Sequence, residues 1–102
     1  MAGELTYVGA VVLHAIRCGH PYGFQIMAAT DLPSGTVYPA LRRLEKAGLI
    51  RSQWEKASVA RAGQRPIRKY YRVTAEGESA LFEAGKRYRL PESAEASKEA
   101  DR

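Results

Sequence analysis

The run SGTVYPALRRLEKAGLIRSQWE, Ser34 to Glu55, followed by RPIRKYYRVTAEG, Arg65 to Gly77, constrains the fold more than any other part of the chain. Three patterns succeed one another in it. Val37, Leu41 and Leu44 recur at helical spacing, with Tyr38, Arg42 and Lys46 at intervals of four on the other side. Residues 34 to 47 are therefore expected as a helix with one inward and one outward face. Ile50, Ser52 and Trp54 then alternate with Arg51, Gln53 and Glu55, and Tyr71 and Val73 with Tyr70 and Arg72. That period of two predicts a pair of short strands with one face on the helices, which sends Trp54 and Tyr71 toward the core. Thr74 stands as the cap of a further helix over Ala75 to about Tyr88, whose apolar side is Leu81, Phe82 and Tyr88.

The first third supplies the remaining helices. Leu5, Val8, Val12, Ala15 and Ile16 lie on one helical face, and Val11 and Leu13 widen it, so residues 5 to 17 read as a mostly buried helix stopped by Gly19, His20 and Pro21. A shorter helix runs from Tyr22 to about Thr30, and Asp31, Leu32 and Pro33 turn the chain into the third. Ser34 reads as that helix's N-cap, and Pro39 predicts a bend within it. Gly48 supplies the left-handed residue that ends it. Lys56 to Ile67 is too long for a tight hairpin and reads as a mobile loop, shaped by Gly63 and Pro66. The fold class that follows is mainly α with a small two-stranded β-wing, a winged helix-turn-helix. Residues 1 to 88 form this one domain, and 89 to 102 are a polar tail, disordered or loosely helical.

Charge gives the plan a purpose. Residues 34 to 73 hold ten Lys or Arg against two acids, a net of +8, whereas the whole chain is +5. A positive field confined to one helix and one hairpin can orient and concentrate a polyanion, which an even spread of charge cannot do. Double-stranded DNA is the implied partner, with the helix at 34 to 47 in the major groove and the wing at 56 to 67 on the backbone. Arg65, Arg68 and Lys69 are the expected wing contacts, to phosphate or to the adjacent minor groove. The rival is an adaptor that uses the same cationic face to hold an acidic protein.

At these residues the chain resembles the PadR family of bacterial transcription regulators. The likeness rests on Thr36 to Glu55 and on Arg65 to Leu81, with Tyr22 to Ile26 as a weaker third block, and spans roughly residues 5 to 88. The resemblance implies that Thr36 and the Tyr38 hydroxyl touch phosphates or base edges, and that Arg42 or Arg43 reaches the backbone or a guanine. Ser34 is either a contact or a plain cap, and Tyr38 either a contact or packing against the second helix. The family also tolerates a proline after the helix's tyrosine. Two stretches depart from its pattern. The connection Ala29 to Pro33 is short, and Pro91 interrupts the chain where many members continue into a dimerising helix.

A homodimeric repressor on a pseudo-palindromic operator is expected, because a single module covers too little DNA for physiological specificity. Leu5, Val8, Leu81, Phe82 and Tyr88 are the candidate dimer surface. A small-molecule effector could bind between subunits, and no residue pattern identifies one. His14 and Cys18 have the spacing of helical metal ligands, but with His20 they leave a site short of donors, so no metal or cofactor is expected. No serine, cysteine or carboxylate constellation points to catalysis, so the protein is not expected to be an enzyme. With no membrane-length apolar run, no secretory leader and a single cysteine, the expected location is cytoplasmic.

Overall fold

The computed structural model describes residues 5 to 90. In order they form α1 (Tyr7–Arg17), α2 (Gly23–Thr30), α3 (Ser34–Lys46), β1 (Ile50–Trp54), α4 (Ala57–Ala62), β2 (Lys69–Val73) and α5 (Ala75–Gly85). Of the expected tail, residues 91 to 102 lie outside the described part, while Leu90 packs against the core.

α1 is the axle of the molecule. Eight successive residues, Gly9 to Ile16, are buried, so it is covered on all sides by α2, α3, α5 and β2. The Thr6 hydroxyl caps it by accepting from the Gly9 amide at 3.0 Å. Gly19, at φ +100°, ends it: the amides of Gly19 and His20 donate to the carbonyls of Ile16 and Ala15. α3 stops in the same way at Gly48, φ +79°, where the Gly48 and Leu49 amides donate to Glu45 and Leu44. That reversal carries Leu49 and Ile50 into the cluster of Val12, Leu13, Ile26, Val37, Leu41 and Leu44 at the centre.

α3 departs from expectation at both ends of its first half. Its N-cap is Pro33, no side chain caps it, and Ser34 is its exposed first residue. The proline pre-sets the entry, and its carbonyl accepts from the Thr36 and Val37 amides, each at 3.0 Å. The helix continues through Pro39. The bond that proline forfeits would have gone to the carbonyl of Gly35, which lies in an exposed turn where water can replace it.

β1 and β2 pair antiparallel, with Ile50 opposite Val73, Ser52 opposite Tyr71 and Trp54 opposite Lys69. A third segment, unforeseen in the sequence, joins them: the Tyr71 amide donates to the Pro21 carbonyl at 2.7 Å, and Tyr22 bridges to Tyr70. The entry to α2 thus tethers the wing to the helices. Tyr71 packs on the core as expected, but Trp54 does not, being 63% exposed. The strands outrun the helical layer, so the alternation that buries Ile50 leaves Trp54 beyond its cover.

The connection between the strands also differs from expectation. Ala57 to Ala62 form α4, with Ala60 buried, and Gln64 adopts φ +56° to turn the chain back. The alanines of ASVARA favour a helix wherever one small face can dock, which a reading based on loop composition overlooks.

Candidate nucleic-acid interface

One cleft of about 460 Å³ opens between α3, the start of α2 and the wing. Tyr38 and Arg42 line it from the helix, Arg68 and Lys69 from the wing, and Tyr22 and Trp54 from the flanks. Tyr38 can lie flat there because residue 23 is glycine; a Cβ at Gly23 would collide with the Tyr38 ring. The packing reading of Tyr38 therefore holds, and the side chain, 41% exposed, also keeps an edge open to solvent. The Arg68 guanidinium sits over the Tyr22 ring, 4.2 Å from its centroid, and the Lys69 ammonium lies 5.5 Å from that of Trp54. These contacts hold two cations in place with little loss of charge.

The other expected residues are distributed less evenly. Ser34, Thr36 and Arg43 belong to α3 but lie outside the cleft. Arg43 does not pair with Glu45. That carboxylate accepts from the Ser52 hydroxyl and lies 3.9 Å from Lys69. Among the described residues, no carboxylate pairs with Arg42 or Arg43. Arg51 and Arg72 are directly opposite each other on the face of the ladder away from Lys69, so they do not join the cationic flank.

Arg65 is not held out to solvent as a wing contact. Its guanidinium forks onto Glu55, with Nη1 donating to Oε1 at 2.6 Å and Nη2 to Oε2 at 2.7 Å. Glu55 also accepts from the Arg68 amide at 3.2 Å and the Tyr70 hydroxyl at 3.1 Å, and its side chain is 4% exposed. The Arg65 hydrogen bonds, followed by those from Arg68 and Tyr70, outweigh the cost of desolvation and lower the Glu55 pKa to about 2. In the sequence, Glu55 counted only as one of two acids in a basic stretch. Its isolation there, at the end of a strand, was the available signal.

The candidate dimer residues divide too. Leu81 is buried in the subunit's own core, and Leu5 and Val8 pack against it. Tyr88 closes on Tyr7 edge to face, with centroids 5.4 Å apart, and its hydroxyl donates to the Leu5 carbonyl at 3.1 Å. Phe82 is 69% exposed. The Cys18 sulfur lies 3.6 Å from His14 Nε2, and among the described residues no three His, Cys, Asp or Glu gather as metal ligands. No described helix is long and apolar enough to cross a membrane.

A helix with an open polar face beside a tethered cationic wing defines a winged helix-turn-helix, the architecture of DNA-binding transcription regulators rather than of enzymes. The chain belongs to the transcriptional regulator PadR-like family, whose model matches residues 12–83. Three solved structures are similar to it. smu.1704 from Streptococcus mutans shares 29% identity, with a TM-score of 0.63 over 85% of this chain and 82% of that one. A transcriptional regulator from Clostridium thermocellum shares 29%, with a TM-score of 0.64 over 79% of each chain. A PadR family transcriptional regulator from Eggerthella lenta shares 31%, with a TM-score of 0.61 over 79% of this chain and 73% of that one. No curated protein matches the sequence.

Proposed function

We propose that the protein is a homodimeric repressor, acting in the cytoplasm on a pseudo-palindromic double-stranded operator. Each subunit lays α3 in a major groove and sets its wing on the adjoining backbone. The observation that carries this reading is the single cleft where Tyr38 and Arg42 face Arg68 and Lys69. A helix side and a wing side that line one cleft can meet one duplex together. Arg42 reads a base or its phosphate, and Arg68 and Lys69 neutralise backbone charge. Ser34, Thr36 and Arg43 meet the backbone along the rest of α3, and Arg65 acts behind the surface by holding the wing. The dimer surface is the exposed side of α5 around Phe82, whose ring centroid lies 5.0 Å from the Lys86 ammonium.

The test is duplex binding as a function of salt. Log affinity should fall linearly with log salt concentration, and Arg68→Ala combined with Lys69→Ala should flatten the slope by about one unit per lost phosphate contact. An unchanged slope removes the wing from the interface. No binding to any duplex at low salt would favour the adaptor that holds an acidic partner instead.

A further inference from the structure

An acid within a wing that grips DNA should, by charge alone, weaken binding. Glu55 lies between the wing's two strands, and its four hydrogen bonds reach three different parts of the wing. Arg65 comes from the turn after α4, the Arg68 amide from the entry to β2, and the Tyr70 hydroxyl from within β2. Tyr70 in turn meets Tyr22 edge to face at 5.4 Å, and Tyr22 carries the Arg68 guanidinium on its other contact at 4.2 Å. The carboxylate is therefore the point from which Arg68 is referenced to the start of α2, while Lys69, the next residue in the chain, lies 3.9 Å from Glu45 of α3. Among the described residues no other side-chain hydrogen bond or ion pair ties the Arg65–Arg68 segment to β1 or to Glu55 at its end; the backbone contributes the Glu55 amide to the Arg68 carbonyl at 2.8 Å.

We propose that Glu55 is a positioning residue for DNA binding: clamped by Arg65, it fixes the wing so that Arg68 and Lys69 present their charge toward α3, and an acid thereby strengthens the grip on a polyanion. The inference rests on the DNA-binding reading above. It also reassigns Arg65, whose forked geometry is spent on the carboxylate rather than on phosphate.

A double-mutant cycle tests it. Glu55→Gln raises the net charge by one and nearly preserves shape. It should nonetheless weaken duplex binding about tenfold at 0.1 M salt and flatten the salt slope by about one, as for the loss of a phosphate contact. Arg65→Gln should do the same, and the double variant should be no weaker than the worse single one, because both changes undo one device. Arg65→Lys, a point charge without the fork, should recover only part of the affinity. Amide exchange provides a readout independent of DNA: exchange at Arg68 should accelerate in Glu55→Gln while the core amides of Ile26 and Leu41 stay protected. Tighter binding by Glu55→Gln with a steeper slope overturns the proposal, since Arg65 would then be freed to join the phosphates. Additive losses, or full recovery with lysine, overturn it as well, by placing Arg65 on the DNA. If the native protein binds no duplex, the DNA-binding reading has failed and its positioning role with it, whereas unchanged Arg68 exchange in Glu55→Gln refutes the clamp alone.

Discussion

Single side chains in this wing have opposite fates despite similar sequence surroundings. Arg65 and Arg68 are three residues apart in the same basic run, yet one is consumed by a carboxylate and the other stacks on a tyrosine at the mouth of the cleft. The clamp makes a prediction about pH. Glu55 titrates near 2 in the folded protein against 4.5 for the free group, so folding is favoured by its ionised form. The stability it contributes is fully present above about pH 4.5 and is lost as the pH falls through 2. Denaturant unfolding across that window should show a steeper acid loss for the native protein than for Arg65→Gln, and carboxyl NMR of Glu55 should locate its midpoint near 2. Arg42, by contrast, has no acid paired with it among the described residues. Arg42→Ala should leave unfolding unchanged and cost about 1–3 kcal/mol of discrimination between operator and altered sites if it reads a base. A uniform loss across sequences would assign it to phosphate.

At the level of elements, helix ends and helix contacts decide the geometry. The first turn of α5 lies so close to the turn between α3 and β1 that a Cβ at Gly77 would collide with the Leu49 carbonyl, the same carbonyl that accepts from the Thr74 amide at 3.0 Å. The Thr74 hydroxyl meanwhile accepts from Gly77 and donates to the Gly48 carbonyl at 2.7 Å. Gly77→Ala should destabilise the fold by about 1–3 kcal/mol in urea melts, since backbone cannot give way as a side chain can. Gly85→Ala at the other end of α5, where the new methyl meets nothing, should stabilise it by about 0.4–1 kcal/mol. The Thr74 cap was legible in the sequence because capping is local, a hydroxyl reaching an amide three residues on. The same local rule misplaced Ser34 by one position, since Pro33 occupies the cap and its fixed φ starts the helix without a side-chain bond.

For the whole molecule, the open question of assembly becomes a matter of which apolar surface is left over. Leu81 is spent on the subunit's own core, so the exposed Phe82 is the large apolar element of the proposed dimer surface left to pair. Phe82→Glu should convert a dimer into an 11.3 kDa monomer by sedimentation while leaving the far-ultraviolet spectrum unchanged. Operator affinity should fall with it, because two half-sites are then no longer held one helical turn apart. A native protein that sediments as a monomer would refute the dimer.

The sequence by itself determined what depends on neighbours a few residues away: the periods of the helices and strands, the glycine that ends α3, the threonine that opens α5, and a block of positive charge in the middle of the chain. The family resemblance rested on the residues of two blocks, Thr36 to Glu55 and Arg65 to Leu81, taken in that order. Only the tertiary structure decided which cations face a common cleft, that Arg65 turns inward while Arg51 and Arg72 face the opposite way, that Trp54 escapes burial, and that Tyr22 tethers the wing. Each of these depends on where a strand ends relative to the layer of helices beneath it, and on pairings between residues tens of positions apart. Such distances and cover are set by packing in three dimensions, to which a pattern of period 2 or 3.6 along the chain is blind.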